Sequence, residues 1–164
     1  MGVFDEACFC DLLGDRLNKE WNEIIEKAEE ERKERLEELE EELKKWREAG
    51  APSFERVTLW DKEADEPVSS IEEAIERAKE VRRRRGLSGK LFYVVYKKDG
   101  VYDSAATLTI RADDTVEGVR RKLQERYRKL LEEYERAKKS LAPFIDWDRL
   151  KKVGEIAALK KQVC

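Results

Sequence analysis

The chain has 164 residues, 45% of them charged and 40% hydrophobic, with 35 Lys and Arg against 38 Asp and Glu, a net charge of −3 and a pI near 5.4. One core at this length buries about 70% of the unfolded chain's surface, so a single domain over 1–164 is expected, with no cofactor or disulfide required for folding. The acidic balance argues against a general nucleic-acid binder, and the absence of His removes the side chain best suited to acid–base work or metal ligation near neutral pH. The longest apolar run, Leu91 to Tyr96, is far short of the roughly 20 residues of a membrane span. Nothing resembles a signal peptide, so a soluble protein without a targeting signal or a membrane partner is expected.

Met1 to Cys10 carries Val3, Phe4, Ala7, Cys8 and Phe9 and reads as a docked turn or short helix. From about Asp11 to Ala49 there is no Pro and only Gly14, and apolar residues recur at Leu17, Trp21, Ile24, Ile25, Ala28, Leu36, Leu39, Leu43 and Trp46. That spacing predicts one very long helix. Glu29, Glu31, Glu40 and Glu41 stand four residues before Lys33, Arg35, Lys44 and Lys45, pairs worth a few tenths of a kcal/mol each. At its helical rise the segment would run about 55 Å, against about 40 Å for a globule of this length, so it is expected to overhang or bend. Gly50 and Pro52 close it.

Phe54 to Trp60 alternates Val57 and Leu59 with Phe54 and Trp60, a first strand, and a polar loop follows as far as Pro67. Ser70 with Glu73 is a capping box ahead of an apolar stripe of Ile71, Ala74, Ile75, Ala78 and Val81 that ends at Gly86. Leu91–Lys98 and Val101–Arg111 flank Asp99-Gly100, the two-residue type I′ hairpin signal. Counting pairs outward from that turn puts Leu91, Tyr93, Ala106 and Leu108 on one face and Phe92, Val94, Ala105 and Thr107 on the other, both apolar enough to be covered. Asp114 with Glu117 caps a second long helix, whose apolar positions Val116, Val119, Leu123, Tyr127, Leu130, Tyr134, Ala137 and Leu141 approach a heptad seam. Pro143 ends it, and Asp146 caps a last helix built on Trp147, Leu150, Val153, Ile156, Ala157, Leu159 and Val163.

These elements compose an α+β fold: a βαββα core with a three-stranded, mostly antiparallel sheet, the strand from Val101 lying between the other two. Long helices pack the sheet, and the two longest form a protruding antiparallel helical arm.

Candidate chemistry is sparse. Cys8 and Cys10 form a C-x-C with Cys164 as a third thiol, but thiolate metal sites want four ligands and a reactive Cys wants a basic neighbour, whereas Asp5, Glu6 and Asp11 adjoin. Reduced thiols are the default, and the sequence leaves a Cys10–Cys164 bridge open. Arg82 to Arg85 is a strongly basic run at a helix C-terminus, where the macrodipole already favours cations. With Lys90, Lys97 and Lys98 beside Phe92, Tyr93 and Tyr96, the hairpin resembles the RNA-recognition motif, whose sheet aromatics stack on bases. A fourth strand and the Lys/Arg-Gly-aromatic signature are missing, however, and the aromatics alternate between faces, so no nucleic-acid partner is expected.

Leu13, Gly14, Asp15, Leu17 and Asn18 look like part of a BH3 motif, which implies a helix-in-groove ligand, with Cys10 and Glu6 departing from two of its four anchors. Gly86 to Lys90 precedes a strand, whereas a phosphate loop precedes a helix. Paired carboxylates lie on polar helix faces beside Lys and Arg, as solvated surface residues do. No catalytic, cofactor-binding or metal residue is assigned, and no enzyme is expected.

Capping boxes, the Asp-Gly turn, helix-end Gly and Pro, and Glu–Lys pairs all agree with the elements they border. In that consistency the chain resembles a computationally designed, idealised protein. The resemblance implies a target fold, high stability, and no evolved biochemical activity, cofactor or required partner. Val3 to Cys10 and Phe144 to Cys164 depart from the ideal. The alternative is an interaction module whose long helix or N-terminal helix engages a protein partner or a second copy, through a stripe of Leu36, Leu39, Leu43, Tyr127, Leu130 and Tyr134.

Overall fold

Alternating and helical apolar periodicities settle into four helices and four strands in the computed structural model, which describes the backbone of residues 6–164 and side chains from residue 9 onward. In chain order they are α1 (Glu6–Ala49), β1 (Thr58–Asp61), β2 (Glu66–Val68), α2 (Ile71–Arg85), β3 (Gly89–Lys98), β4 (Val101–Arg111), α3 (Val116–Lys139) and α4 (Trp147–Val163), with a 3-10 turn at Ala142–Phe144. The expected turn or short helix at Met1–Cys10 lies outside the described residues as far as residue 5, and Glu6 onward already belongs to α1. The class is α+β as expected. The backbone divides into two compact units, a sheet unit of Glu38–Tyr134 and a helical unit of residues 1–37 with 135–164.

In the sheet unit four strands lie in the order β2-β1-β3-β4, every neighbouring pair antiparallel. Two expectations are corrected here. The loop before Pro67 contains a fourth strand, because three residues suffice to pair with β1 at an edge where the Pro needs no ladder donor. The strand from Val101 is an edge, and β3 lies between β1 and β4, because the segment after Trp60 turns back at once rather than crossing over.

The Asp99-Gly100 turn forms with φ of 52° and 78°, as type I′ requires. Past it, a bulge between Val94 and Val95 shifts the register, so that Val94 pairs with Ala106, Tyr93 with Thr107 and Phe92 with Leu108. The face assignment counted from the turn is thereby overturned for β4. One unpaired residue exchanges its faces, sending Leu108 and Ile110 into the core and Thr107 and Thr109 to the other side.

The core lies on one face of this sheet. Leu59, Val68, Phe92, Val94, Leu108 and Ile110 join Ile71, Ala74, Ile75 and Ala78 of α2, Leu43, Trp46 and Ala49 of α1, and Val119, Leu123 and Tyr127 of α3. Within this unit α1 and α3 run antiparallel: Arg47 Nε donates to Tyr127 Oη at 3.0 Å and Tyr134 Oη donates to Glu40 Oε1 at 2.6 Å. Ser70 caps α2 through Glu73 N–H as its sequence predicts. For α3 the hydroxyl of Thr115 takes the cap, receiving Gly118 N–H, while Asp114 turns back to accept Arg111 N–H.

In the helical unit α1 pairs with α4, which Asp146 caps through Arg149 N–H. Arg149 binds both Glu20, at 2.9 Å, and Glu23. That guanidinium holds the Glu20 carboxyl below its ordinary range, the hydrogen bond being the largest cause. The bridge that the sequence leaves open is formed: Cys10 and Cys164 are disulfide-bonded, with Cα atoms 6.1 Å apart.

Candidate functional site: the open face of the sheet

Strand alternation gives the sheet a second face, on which most of the described residues are half-buried or exposed. Thr58 and Trp60 on β1 and Leu91 and Tyr93 on β3 are half-buried, and Thr107, Thr109 and Arg111 on β4 are exposed. Register sets Pro67, Trp60, Tyr93 and Thr107 directly opposite one another across all four strands. Directly opposed aromatic pairs of this kind are worth about 0.2–1 kcal/mol to a sheet, so Trp60 and Tyr93 are modestly stabilising where they stand.

The aromatic row continues beyond Tyr93 and Trp60. The Trp60 ring lies 5.6 Å from that of Tyr102, tilted by 52°. Lys62 Nζ stands 6.0 Å from the Tyr93 centroid and Lys97 Nζ 5.3 Å from that of Tyr102. The result is a ladder of Lys62, Tyr93, Trp60, Tyr102 and Lys97. Trp60 Nε1 donates to Asp65 Oδ1 at 3.1 Å, which fixes the indole plane. At the Tyr102 end the ladder opens on a cleft of about 640 Å³ where Arg56, Lys97 and Arg120 stand among Glu48, Glu55 and Glu72.

The buried acid of this unit faces the opposite way. Asp61 is fully buried on the core face, where Arg77 Nη1 donates to Oδ2 at 2.9 Å, Lys90 Nζ pairs with Oδ2 at 3.2 Å, and Glu63 and Ala64 N–H both donate to Oδ1 at 3.1 Å. Burial alone would raise this carboxyl, but the Ala64 amide, Arg77 and Lys90 more than offset it and the net direction is down. An acid so saturated is held ionised, the opposite of what a general acid needs. On the same face burial raises the Tyr96 phenol, whose hydroxyl donates to Asp103 Oδ2 at 3.1 Å.

No protein family, curated protein or solved structure matches this chain.

Of the residues that the sequence singles out, Phe92 and Tyr96 go into the core face and Tyr93 alone of that trio reaches the open one. Arg83 and Arg84 are exposed and paired with Glu80, and Arg85 with Glu63. Lys90 of the Gly-rich connector is spent on Asp61. Leu13 and Leu17 of the BH3-like segment are half-buried, and Cys10 is tied to Cys164. The Cys8 side chain lies outside the described residues. Sequence reasoning misses Trp60 and Tyr102 as partners. The alternation Thr58, Leu59, Trp60, Asp61 places Trp60 away from the core, but only the fold brings Tyr102 to it.

Proposed function

We propose that the chain is a stable, non-catalytic binding module that recognises its ligand on the open face of the sheet. The observation that carries this reading is the ladder itself: Trp60 and Tyr93 in register, Tyr102 against the Trp60 ring, the indole fixed by Asp65, and cations at both ends, on the face opposite the core. Consistency of caps, turn and register supports the idealised, highly stable fold that the sequence resembles. The helical arm is a weaker docking surface, because Leu39, Leu43 and Tyr127 are buried and Leu130 and Tyr134 pack on the core of the sheet unit.

Denaturant unfolding of Trp60→Thr and Tyr93→Thr tests the reading. A recognition face is expected to lose no more than about 1 kcal/mol per substitution, the value of a cross-strand pair. A loss of about 2–5 kcal/mol, as for a truncated core residue, would make the ladder part of the fold and sink the proposal.

A further inference from the structure

We propose that the open face binds single-stranded nucleic acid, stacking about three bases on Tyr93, Trp60 and Tyr102 while Lys62 and Lys97 meet the phosphates; this rests on the binding-module reading above. Charge is the first argument. Acids outnumber bases in the chain, yet the strand positions in register on this face, Thr58, Trp60, Pro67, Leu91, Tyr93, Val95, Lys97, Tyr102, Ser104, Thr107, Thr109 and Arg111, include no carboxylate. The strand carboxylates Asp61, Glu66 and Asp103 belong to the core face, Asp61 and Glu66 bound by Arg77 and Asp103 by Tyr96. Asp65 at the rim is engaged by the Trp60 indole. Lys62 and Lys97 rest on rings and take part in no ion pair among the described residues, so both are available to an anion.

The second argument is the shape of what is offered. A peptide recognised through its main chain needs an open strand edge. Here β2 is three residues long and contains Pro67, and at the β4 edge Arg126 Nη1 donates to the Thr107 carbonyl at 2.7 Å. What this face offers is partly exposed rings with mobile lysine side chains over them, a combination that matches unstacked bases on a phosphate chain. A duplex keeps its base faces inside and has nothing to stack. Phosphate contact and stacking are both indifferent to sequence and to the sugar, so DNA and RNA are expected to bind alike.

Fluorescence anisotropy of the oxidised full chain with a labelled thymidine dodecanucleotide, a uridine dodecanucleotide, a duplex of equal length and polyglutamate provides the test. Both single strands are expected to bind equally and more tightly than the duplex, with polyglutamate silent. Trp60→Ala is expected to weaken binding about ten-fold. Lys62→Gln and Lys97→Gln, solvent-side changes that leave the core intact, are each expected to flatten the dependence of log affinity on log salt by about 0.7. No anisotropy change with either single strand overturns the proposal. So does a duplex that binds equally well with no effect of Trp60→Ala, which is charge alone, or polyglutamate binding in place of the oligonucleotides, which marks an acidic protein partner. If Trp60→Thr and Tyr93→Thr leave stability unchanged and no single strand binds, the binding-module reading stands and this one falls.

Discussion

The sheet unit and the helical unit are held together by different means. Of the apolar residues buried among those described, only Ile24, Ala28, Ala137 and Val153 belong to the helical unit, and the rest belong to the sheet unit. The helical unit instead leaves Leu12 56%, Trp21 49% and Trp147 58% exposed. Two paired helices bury one stripe each. Closure there falls to the Cys10–Cys164 bridge and to Arg149 with Glu20 and Glu23. The sheet unit has layers enough to bury one face fully. Covalent closure is thus found where the core is thin, as in small domains generally.

The sharpest way to break this contrast is to make the same truncation in both units. Leu59→Ala removes a side chain that is 0% exposed and is expected to cost about 4 kcal/mol in denaturant unfolding. Leu150→Ala, half-buried on α4, is expected to cost about 1 kcal/mol. Equal losses would show that the helical unit is cored as well as the sheet unit.

Opening the bridge comes next. Reduction by a dithiol, or Cys164→Ser, releases a link spanning 154 residues of chain, and the loss is expected to fall in the usual disulfide range of about 2–4 kcal/mol. Hydrogen exchange should then quicken along α4 while β1 and β3 keep their protection. Unchanged α4 amides would mean that its packing and ion pairs suffice without the bridge.

Acid provides the smallest effect and separates the units by their carboxylates. The folded Asp61 carboxyl titrates below its ordinary value of 3.8. Its contribution is therefore fully present above that pH and is lost as pH falls through the lower folded value. Glu20 is shifted in the same direction, from 4.5, by a half-buried pair with Arg149 that solvent still partly screens. Asp61→Asn is expected to flatten the acid limb of the sheet unit's unfolding midpoint more than Glu20→Gln flattens that of the helical unit. The reverse order would show that the buried cluster around Arg77 is not what acid breaks.

Much of the architecture is legible in the amino-acid sequence. The Ser70 and Asp146 caps, the Asp99-Gly100 turn and the extents of α2 and α4 all depend on contacts within a few residues, whereas α1 begins at Glu6 rather than near Asp11 and α3 ends at Lys139, short of Leu141. The candidate site is legible only in part. Sequence pattern singles out Tyr93 but groups it with Phe92 and Tyr96, which point the other way. Trp60 reads as no more than a strand end, and nothing near Tyr102 in the chain marks it. What is missing is non-local: β2 has too few residues for a pattern, and the bulge at Val94/Val95 leaves no mark in composition. Counting outward from a correct turn therefore yields the wrong faces on β4.

The sequence by itself determined where α2 and α4 begin and where the central hairpin turns, because capping hydrogen bonds, positive φ at Asp99 and Gly100, and apolar periodicity act over one or two turns of chain. It also determined that charges of both signs would be matched locally, as Arg83 and Arg84 with Glu80 and Arg128 with Glu125 and Glu132 show. Only the tertiary structure decided which strands are neighbours, that Cys10 meets Cys164, and that Lys62, Tyr93, Trp60, Tyr102 and Lys97 share one face of the sheet. Those outcomes turn on register, where a single inserted residue exchanges the faces of a strand, and register is set by burying Leu108 and Ile110 against helices distant in sequence.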